Sequence, residues 1–312
     1  MCATGERRSR LTYMGDVFAS LIGRKIFIPT PSTFLGKAIM SQSTGTPLRI
    51  LVLVKHVPDV QFDRHLAGEF LRIDRKDSVL SELDEYAIEA GLLLAESRGG
   101  AAAGNTVTAL SMGPEAAVNA VRKALQMGAT EGVHLCDEAL AGSDAGATSL
   151  ALAAAVRHLA GFDLIITGMS STDAETSLVP AQLAERLGVA QLTQISRVEL
   201  DTDSTVIRAV RETEHAALSL EAELPVLLSV TDQANEPRYP NFKGIMAAKK
   251  KQITVLTLGD IGVDPALVGA AGSATQVQSV EARPEREAGR IITDSGNAGI
   301  ELVDFLAAAK LI

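Results

Sequence analysis

Apolar residues fall into two alternating patterns from residue 49 onward. Continuous apolar runs have the length of buried strands: RILVLVKHV (49–57), TVTALSM (106–112), GVHLC (132–136) and DLIITG (163–168). Between these runs, apolar residues recur at helical spacing, which predicts helices over 82–97, 114–128 and 145–159 and one that ends at Gly188. Strands and helices in succession predict an α/β fold, a mostly parallel sheet with helices on both faces.

The pattern changes after Gly188. The stretch ISRVELDTDSTVIRAVRET (195–213) predicts hairpin strands with a turn at 201–204, and LPVLLSV (224–230) predicts another core strand. The residues from about 270 are rich in loop-forming residues and end in an amphipathic helix, GIELVDFLAAAKLI (299–312). Such a tail rarely packs as a domain, so we expect an extended C-terminal arm that docks on another chain.

Composition narrows the possible functions. The net charge of −9 argues against nucleic acid as the main partner, because phosphate binding needs a clustered cationic face. With eight Phe, three Tyr and no Trp, the chain is too poor in aromatic residues to sandwich a flavin ring by itself, so a flavin would lean on another chain. Two distant cysteines indicate a reducing compartment, and five histidines without ligand spacing predict no metal site.

Residues 1–48 differ from the rest of the chain in being basic and serine-containing, which is typical of a transit peptide. The alternative is an over-called start, because a sequence that begins at Met40 would make an ordinary bacterial N-terminus. The apolar stretch VFASLIGRKIFI is interrupted by two basic residues and is too short to span a bilayer, so we expect no direct membrane insertion. We expect this segment to lie outside the fold of a cytoplasmic bacterial protein, or to direct a protein to the mitochondrial matrix.

Three strand ends carry residues that could bind a ligand, since ligands of parallel sheets bind beyond the carboxyl ends of the strands. They are Lys55-His56, SMGP (111–114) and TGMSSTDAETS (167–177). The third is the richest, because Gly168 allows a close backbone turn and five hydroxyl groups crowd a helix start where a phosphate could be held. The alternative is simple N-capping of the following helix by Thr172 or Asp173.

Motifs of covalent or acid–base catalysis are missing from the sequence. The first strand is not followed by G-x-G-x-x-G, and the chain contains neither a Walker loop nor a G-x-S-x-G elbow. Asp84 and Glu85 are adjacent on a predicted helix and do not face each other, which favours a role as cap and first-turn charges. We therefore predict no catalytic residue.

The segment NEPRYPNFKGIMAAKKK (235–251) is unusual for an acidic α/β chain. It contains two prolines, a tyrosine and a phenylalanine, and it ends in three lysines. Its first ten residues predict neither helix nor strand. With this segment, the chain resembles the beta subunit of electron-transfer flavoproteins from about Arg49 to Gly262, supported by LVLVKHVPD, LDEYAIEA, SMGPEAAVNAVRKALQMGA and DLIITGMSSTDAETSLVPAQLAERLG.

The resemblance implies an electron-carrier subunit rather than an enzyme. Residues 49–262 would form a Rossmann-like domain that binds an adenine nucleotide, and residues 263–312 would dock on a larger alpha subunit. The alpha subunit would hold most of the redox FAD, while this chain buries a structural AMP. By position, the implied AMP contacts are Leu53, Ser81, Glu82, Leu83, Asp84, Met112, Met169, Ser170, Ser171, Thr172, Asp173, Ala174, Glu175, Thr176, Ser177, Leu178, Val179 and Pro180.

The chain departs from the family pattern at two places. Where the family often has D-G-D-T-x-Q-V, this chain has Ala174 and Leu178 in place of the Gly and the Gln, which puts one side-chain contact in doubt. Residues 81–83 replace the common N-P-F, so that Leu83 stands where relatives place a ring near the flavin.

The 235–251 segment resembles the partner-recognition loop of the family, in which Phe242 occupies the position of the anchoring apolar side chain. Pro240 and Lys243 would hold the loop extended. The alternative is that Phe242 folds back on its own core. Lys249 to Lys251 either form a solvated face or neutralise an acidic neighbour. The implied partner-docking residues are Asn235, Glu236, Pro237, Arg238, Tyr239, Pro240, Phe242, Lys243, Ile245 and Met246.

The implied partners are flavin dehydrogenases, such as the acyl-CoA dehydrogenases of fatty acid oxidation, and a quinone-reducing acceptor toward the respiratory chain. One alternative is a bifurcating flavoprotein subunit with a second FAD in place of AMP. An adenylating enzyme is disfavoured because KHVPDV stands where its S-G-G-x-D-S loop would be. A stress-response nucleotide-binding module is disfavoured because its glycine spacing is absent after IITG.

Overall fold

A computed structural model describes residues 46–62, 65–67, 71–281, 284, 289 and 291–312. The prediction for residues 1–48 therefore lies outside the described residues, apart from the last three. Leu48 is buried, and its backbone N–H donates to the side chain of Asn105 at 2.7 Å. The described chain divides into one unit that ends at Gln276 and a second unit from Val277 onward.

Apolar runs and β-branched residues build the strands. In chain order they are β1 (Arg49–Leu53), β2 (His56–Pro58), β3 (Leu66–Ala67), β4 (Arg72–Ile73), β5 (Ser78–Leu80), β6 (Thr106–Met112), β7 (Glu131–Leu135), β8 (Leu164–Gly168), β9 (Ala190–Ile195), β10 (Arg197–Leu200), β11 (Val206–Glu212), β12 (Ala217–Glu223), β13 (Val226–Val230) and β14 (Ile253–Leu256).

Helices separate most of the parallel strands. They are α1 (Glu82–Ser97), α2 (Val118–Met127), α3 (Ala145–Leu159), α4 (Val179–Leu187), α5 (Phe242–Lys250), the single turn α6 (Gly269–Gly272) and α7 (Ala298–Ala308). Glycines end two of them as predicted: Gly128 follows α2 with φ of +134°, and Gly188 follows α4 with φ of +70°.

Seven parallel strands form the central sheet in the order β14-β7-β6-β1-β8-β13-β9. Alternate residues of β1 enter different cores. Ile50 and Val52 pack with α1 and α2, whereas Leu51 and Leu53 pack with α3 and α4. The sheet is therefore covered on both faces, and the predicted α/β fold is confirmed.

The first apolar run is split in the structure. β1 ends at Leu53, and β2 turns away to pair antiparallel with β5, where His56 opposes Leu80. The N–H of Val54 donates to the carbonyl oxygen of Leu110 in the neighbouring strand β6, whereas the N–H of Lys55 donates to the carboxylate of Asp84. The pairing of β1 with β6 therefore ends between these two residues. A single nine-residue strand was the wrong prediction here.

The predicted hairpin is present as part of a small antiparallel sheet, β10-β11-β12. Arg98 at the end of α1 donates to the carbonyl oxygens of Asp201 and Ser204 and so fixes the turn. The two outer strands of the central sheet, β9 and β14, were not predicted because they are partly exposed and lack a continuous apolar run.

The 235–251 segment begins without regular structure and then forms α5. Asn241 caps this helix by accepting a hydrogen bond from the N–H of Gly244 at 2.8 Å. The helix therefore begins at Phe242. The prediction of neither helix nor strand is wrong for Phe242, Lys243 and Gly244, and Lys243 lies in a helical turn rather than in an extended loop.

The second unit contains the predicted terminal helix, α7. The carboxylate of Asp294 accepts hydrogen bonds from the N–H groups of Gly296 and Ala298 at the start of this helix. Its apolar side chains, among them Ile300, Val303 and Phe305, are exposed.

Candidate functional site

A cleft opens at the carboxyl ends of β1, β6 and β8. The chain leaves β1 toward β6 and β7 on one side, and later returns to place β8 on the other side of β1. This reversal of strand order is the place where open parallel sheets bind ligands. The cleft is lined by Leu53, Val54, Lys55, Asp84, Leu110, Met112, Thr148, Leu152, Thr167, Gly168, Ser170, Ser171, Thr176, Ser177, Val179 and Pro180.

Asp84 forms part of the cleft wall at the start of α1. Its Oδ2 atom accepts a hydrogen bond from the N–H of Lys55 at 2.7 Å. Burial raises the pKa of Asp84 to about 7, although the hydrogen bonds from Lys55 and Gly168 oppose the shift. Asp84 lies in the first turn of α1 as predicted, but it is buried, which the sequence did not predict. Glu85 instead forms an ion pair with Lys123 on α2 at 3.7 Å.

Position 168 requires a glycine because the backbone of β8 passes close to α1 there. A β-carbon at this position would lie 2.7 Å from Oδ1 of Asp84 and 2.9 Å from the carbonyl oxygen of Leu83. Both distances are shorter than van der Waals contact. Gly168 is the last residue of β8, so the structure shows a close approach to α1 at this position rather than the predicted close turn.

Lys55, Asp173 and Arg75 form an ion-pair cluster beside the cleft. Asp173 receives Nζ of Lys55 at 2.8 Å and a guanidinium nitrogen of Arg75 at 2.6 Å, and its side chain is only 2% exposed. Burial favours a higher pKa for Asp173, but the two cations outweigh burial and lower this pKa to about 2. The Nζ atom of Lys55 also lies 3.3 Å from Oγ of Ser171. One cation therefore contacts two residues of the hydroxyl-rich loop that follows β8, Asp173 and Ser171.

The 169–178 loop connects β8 to α4. Glu175 and Ser177 adopt φ angles of +53° and +51°, a conformation that residues with a β-carbon rarely adopt. Ala174, which replaces the family's glycine, is not among the residues with positive φ. The loop therefore accommodates Ala174 without backbone strain at that position.

The N-capping alternative for Thr172 and Asp173 is wrong. Helix α4 begins only at Val179, its N-cap is Leu178, and no side chain caps it. Within the described part of the chain, the hydroxyl groups of Ser170 and Thr172 are buried and have no hydrogen-bond partner. Buried hydroxyl groups nearly always have a partner, so the hydroxyl group of Ser170, which lines the cleft, is suited to a ligand.

The structure brings together half of the implied nucleotide contacts. Those that line the cleft are Leu53, Asp84, Met112, Ser170, Ser171, Thr176, Ser177, Val179 and Pro180. The others, which do not line it, are Ser81, Glu82, Leu83, Met169, Thr172, Asp173, Ala174, Glu175 and Leu178. Leu178 is exposed at the surface, and Asp173 acts behind the cleft by holding Lys55.

Some cleft residues were missed by the list of implied contacts. Thr148 and Leu152 of α3 form part of the wall, but their spacing cannot be told from that of any helix that packs on a sheet. Lys55 and Gly168 were identified as strand-end residues and not as contacts.

A second cavity, of about 280 Å³, lies at the opposite edge of the sheet, near Arg49, Glu131 and Lys251. Its cations are already engaged within the chain. The guanidinium of Arg49 lies 5.3 Å from the centre of the Phe162 ring, and Lys251 donates to the carbonyl oxygen of Ala129 at 2.6 Å. Burial lowers the pKa of Lys251, so the prediction that all three lysines form a solvated face is wrong for this one.

The 235–251 segment presents two aromatic side chains to solvent. Tyr239 is 92% exposed and Phe242 is 79% exposed, and Met246 is also exposed. The alternative that Phe242 folds back on its own core is therefore wrong. Glu236 and Lys243 are exposed as well, whereas Asn235, Pro237, Pro240 and Ile245 are partly buried.

Two of the implied docking residues bind this chain instead of solvent. The side chain of Asn235 donates to the carbonyl oxygen of Tyr86 at 2.9 Å, and the guanidinium of Arg238 is bound by Glu89 and Glu96 of α1. The segment is thus attached to α1, and its aromatic side chains point away from it.

Neither a metal cluster nor a membrane helix is found among the residues that the structure describes. No group of three or more His, Cys, Asp or Glu side chains within 46–62, 65–67 and the later described ranges is placed to hold a metal ion. In the same residues, none of the helices has the length and apolarity needed to cross a bilayer.

Comparison with known proteins places the sequence among flavoprotein subunits. A family model described as the electron transfer flavoprotein domain matches residues 71–261. The chain is 43% identical over 265 residues to the electron transfer flavoprotein subunit beta of Mycobacterium tuberculosis (strain ATCC 25618 / H37Rv), an alignment that covers 84% of this chain and 99% of that protein. The protein of the same name from Thermoanaerobacterium thermosaccharolyticum is 35% identical over 268 residues, which cover 85% of this chain and all of that protein.

A further relative carries a different name. The Caffeyl-CoA reductase-Etf complex subunit CarD of Acetobacterium woodii is 33% identical over 249 residues, which cover 79% of this chain and 92% of that protein. The range matched by the family model contains α1, the 169–178 loop and the 235–251 segment.

Proposed function

The chain belongs to the electron transfer flavoprotein family, as a beta subunit, and from this premise we propose that it binds AMP in the cleft, pairs with an alpha subunit and docks on dehydrogenases through the 235–251 segment. The observation that carries the proposal is the cleft itself. The unpartnered hydroxyl group of Ser170, the start of α4 and the cation Lys55 meet there at the reversal of strand order.

The residues of the cleft fit AMP in their chemistry. The start of α4 and the preceding Thr176 and Ser177 supply N–H and hydroxyl donors that suit a phosphate, and Lys55 supplies a positive charge. Leu53, Leu110, Met112 and Leu152 form apolar surface that suits the adenine ring. Asp84 and Asp173 shape the site by fixing the backbone and side chain of Lys55.

The redox cofactor is FAD, held mainly by the alpha subunit. The cleft is lined by no aromatic residue in the described part of the chain, so it offers no ring to stack on a flavin. When bound, FAD supplies the capacity to take up and release electrons singly or in pairs. This chain's contribution is to bind the alpha subunit, retain the nucleotide and position the docking surface.

Docking through an exposed side chain suits an electron carrier that serves several partners. A carrier must bind a dehydrogenase and leave quickly, which requires a small anchor rather than a large sealed interface. Phe242 and Tyr239 provide such an anchor because they are exposed on a segment that is itself attached to α1. We expect acyl-CoA dehydrogenases as electron donors and a quinone-reducing protein as acceptor.

Extraction of the bound nucleotides from the heterodimer tests this proposal. The chain is co-expressed with its alpha subunit, the complex is denatured, and the released nucleotides are separated and quantified. We expect one FAD and one AMP per heterodimer. Two FAD without AMP would instead favour a subunit that binds a second flavin in the cleft. A heterodimer that releases one FAD, with no AMP and no second FAD, would contradict the proposed role of the cleft.

A further inference from the structure

Arg238 makes the most extensive ion-pair contacts of the 235–251 segment, and all of them lie within its own chain. Its Nε atom and one terminal nitrogen bind the two carboxylate oxygens of Glu89 at 2.7 and 2.9 Å. That terminal nitrogen and the other one bind the two carboxylate oxygens of Glu96, at 3.0 and 2.6 Å. The backbone N–H of Arg238 also donates to Glu89, at 3.2 Å.

The two carboxylates are placed on α1 to receive a guanidinium group. Glu89 and Glu96 are seven residues apart, which is about two helical turns, so they lie on the same face of α1. The side chain of Glu89 is only 6% exposed. A buried carboxylate requires a partner, and Arg238 makes paired contacts that a lysine ammonium cannot reproduce.

The C-terminal half of the segment is fixed by α2. Arg122 donates to the carbonyl oxygens of Ala248 and Lys251 at 2.7 and 2.9 Å, at the end of α5. At the start of α5, a β-carbon at Gly244 would lie 2.7 Å from the carbonyl oxygen of Gln126, so the two helices pack closely there. Arg238 and Arg122 thus hold the segment on both sides of its exposed aromatic residues.

We propose that Arg238 is a positioning residue for partner docking, which holds Tyr239 and Phe242 in a fixed orientation by tying the segment to α1. The inference rests on the proposed function, since it takes the segment as the docking surface. In this proposal Arg238 acts through the two aromatic residues, whereas the resemblance implied that it contacts a partner directly. Order in the free protein favours binding, because a segment that is already ordered loses less conformational freedom when a partner binds.

The test uses the heterodimer with Arg238→Lys and Glu89→Gln, and a matched control, Arg208→Lys. Arg208 on β11 also lies between two carboxylates, of Asp201 and Glu221, at 2.7 and 3.1 Å, but its cluster is exposed and lies in the small antiparallel sheet. Glu96→Gln is the milder variant on α1, because Glu96 is half exposed and its loss leaves Glu89 paired.

The first readout is the rate at which chymotrypsin cleaves after Phe242, identified by mass spectrometry. We expect cleavage to become about fivefold faster or more in Arg238→Lys and Glu89→Gln, a smaller increase in Glu96→Gln, and no change in Arg208→Lys. Should Glu89→Gln fail to fold, Arg238→Lys and Glu96→Gln still give the comparison. Cleavage at the parental rate in both of these would overturn the proposal.

The second readout is electron transfer from an acyl-CoA dehydrogenase to the heterodimer. We expect the KM for the heterodimer to rise about fivefold in Arg238→Lys while kcat and the AMP content stay at parental values. A merely structural role would lower the folded fraction or kcat and leave KM unchanged, which would overturn the inference.

Phe242→Ala separates this inference from the proposed function. If Phe242→Ala raises KM and Arg238→Lys does not, docking through the segment stands and the positioning role of Arg238 is wrong. If neither substitution changes KM, the segment is not the docking surface, and the proposed function and the inference fail together.

Discussion

The ammonium group of Lys55 lies 2.8 Å from a carboxylate oxygen of Asp173, and this ion pair ties the end of β1 to the 169–178 loop. Asp173 is almost wholly buried and also holds Arg75, so the loop is fixed to two other parts of the chain. The same Lys55 faces the cleft, where it is suited to a phosphate. Its side chain therefore links the structure of the loop to the proposed nucleotide site.

Lys55→Ala should release the nucleotide. The substitution removes the cation of the cleft and leaves Asp173 with Arg75 alone, so we expect AMP affinity to fall by about 1.5–3 kcal/mol, the value of a charged hydrogen bond. The measurement is the AMP content of the purified heterodimer after extensive dialysis. Lys123→Ala, which breaks a surface ion pair with Glu85, is the control and should retain AMP. Equal AMP content in the two variants would show that Lys55 does not hold the nucleotide.

Gly168→Ala should destabilise the fold beside the cleft. Its β-carbon would meet Asp84 and the backbone of Leu83 at less than 3 Å, and neither can move away easily because Asp84 is bound to Lys55. We expect a loss of about 2–4 kcal/mol in the free energy of unfolding, measured with urea. Gly259→Ala is the control, since the nearest atom is 3.6 Å from its β-carbon. A loss below about 0.5 kcal/mol at Gly168 would contradict the close packing described here.

Asp84 should make stability depend on pH near neutrality. Its pKa is raised from an ordinary value of 3.8 to about 7, chiefly by burial. A raised pKa in the folded state means that the contribution of the group to stability is fully present below about pH 4 and is lost as the pH rises through 7. We expect Asp84→Asn to flatten the decline in the free energy of unfolding between about pH 4 and 7.

Comparing the pH dependence of stability in the parent and in Asp84→Asn separates the effect of ionisation from the effect of the substitution itself. Asparagine loses a hydrogen bond to either Lys55 or Gly168, but this cost is the same at each pH. Only the slope of stability against pH reports the ionisation of Asp84. Parallel pH curves for parent and variant would contradict the raised pKa.

Removal of residues 277–312 should weaken heterodimer assembly more than AMP retention. The exposed apolar side chains of α7 need a partner surface, whereas the described cleft residues all precede residue 181. The truncated chain keeps Thr275, whose backbone and side chain bind Asp144. Subunit affinity is measured by sedimentation, beside the AMP content. Unchanged subunit affinity would rule out the docking role of the arm.

Within the central sheet, the sequence predicted the strands that are buried on both faces and missed β9 and β14, which are partly exposed. RILVL and LIITG are continuous apolar runs. Such runs are expected for a parallel strand whose two faces are both covered by helices. β14 is partly exposed and follows three lysines, so its pattern is weak. The start of α5 was missed because a single capping side chain, Asn241, begins the helix after a proline-rich stretch.

The position of the cleft followed from local sequence, but its internal contacts did not. Hydroxyl-rich residues after β8 indicated the site because strand ends meet at one edge of the sheet. The contacts of Asp173 with Lys55 and of Arg238 with Glu89 join residues 118 and 149 positions apart, and no periodicity in one sequence reveals such pairs. Asp173 and Arg238 were predicted by resemblance as contacts to a nucleotide and a partner, and nothing in the sequence indicated the ion pairs that both also make within the chain.

The measurement that tests the docking claim most directly is electron transfer by the Phe242→Ala heterodimer, read beside its melting temperature. Because the ring is exposed, its removal should leave the melting temperature and the flavin spectrum unchanged. We expect docking on an acyl-CoA dehydrogenase to weaken by about 2 kcal/mol, which is about a thirtyfold rise in KM. A KM within about twofold of the parental value, at an unchanged melting temperature, would contradict the account.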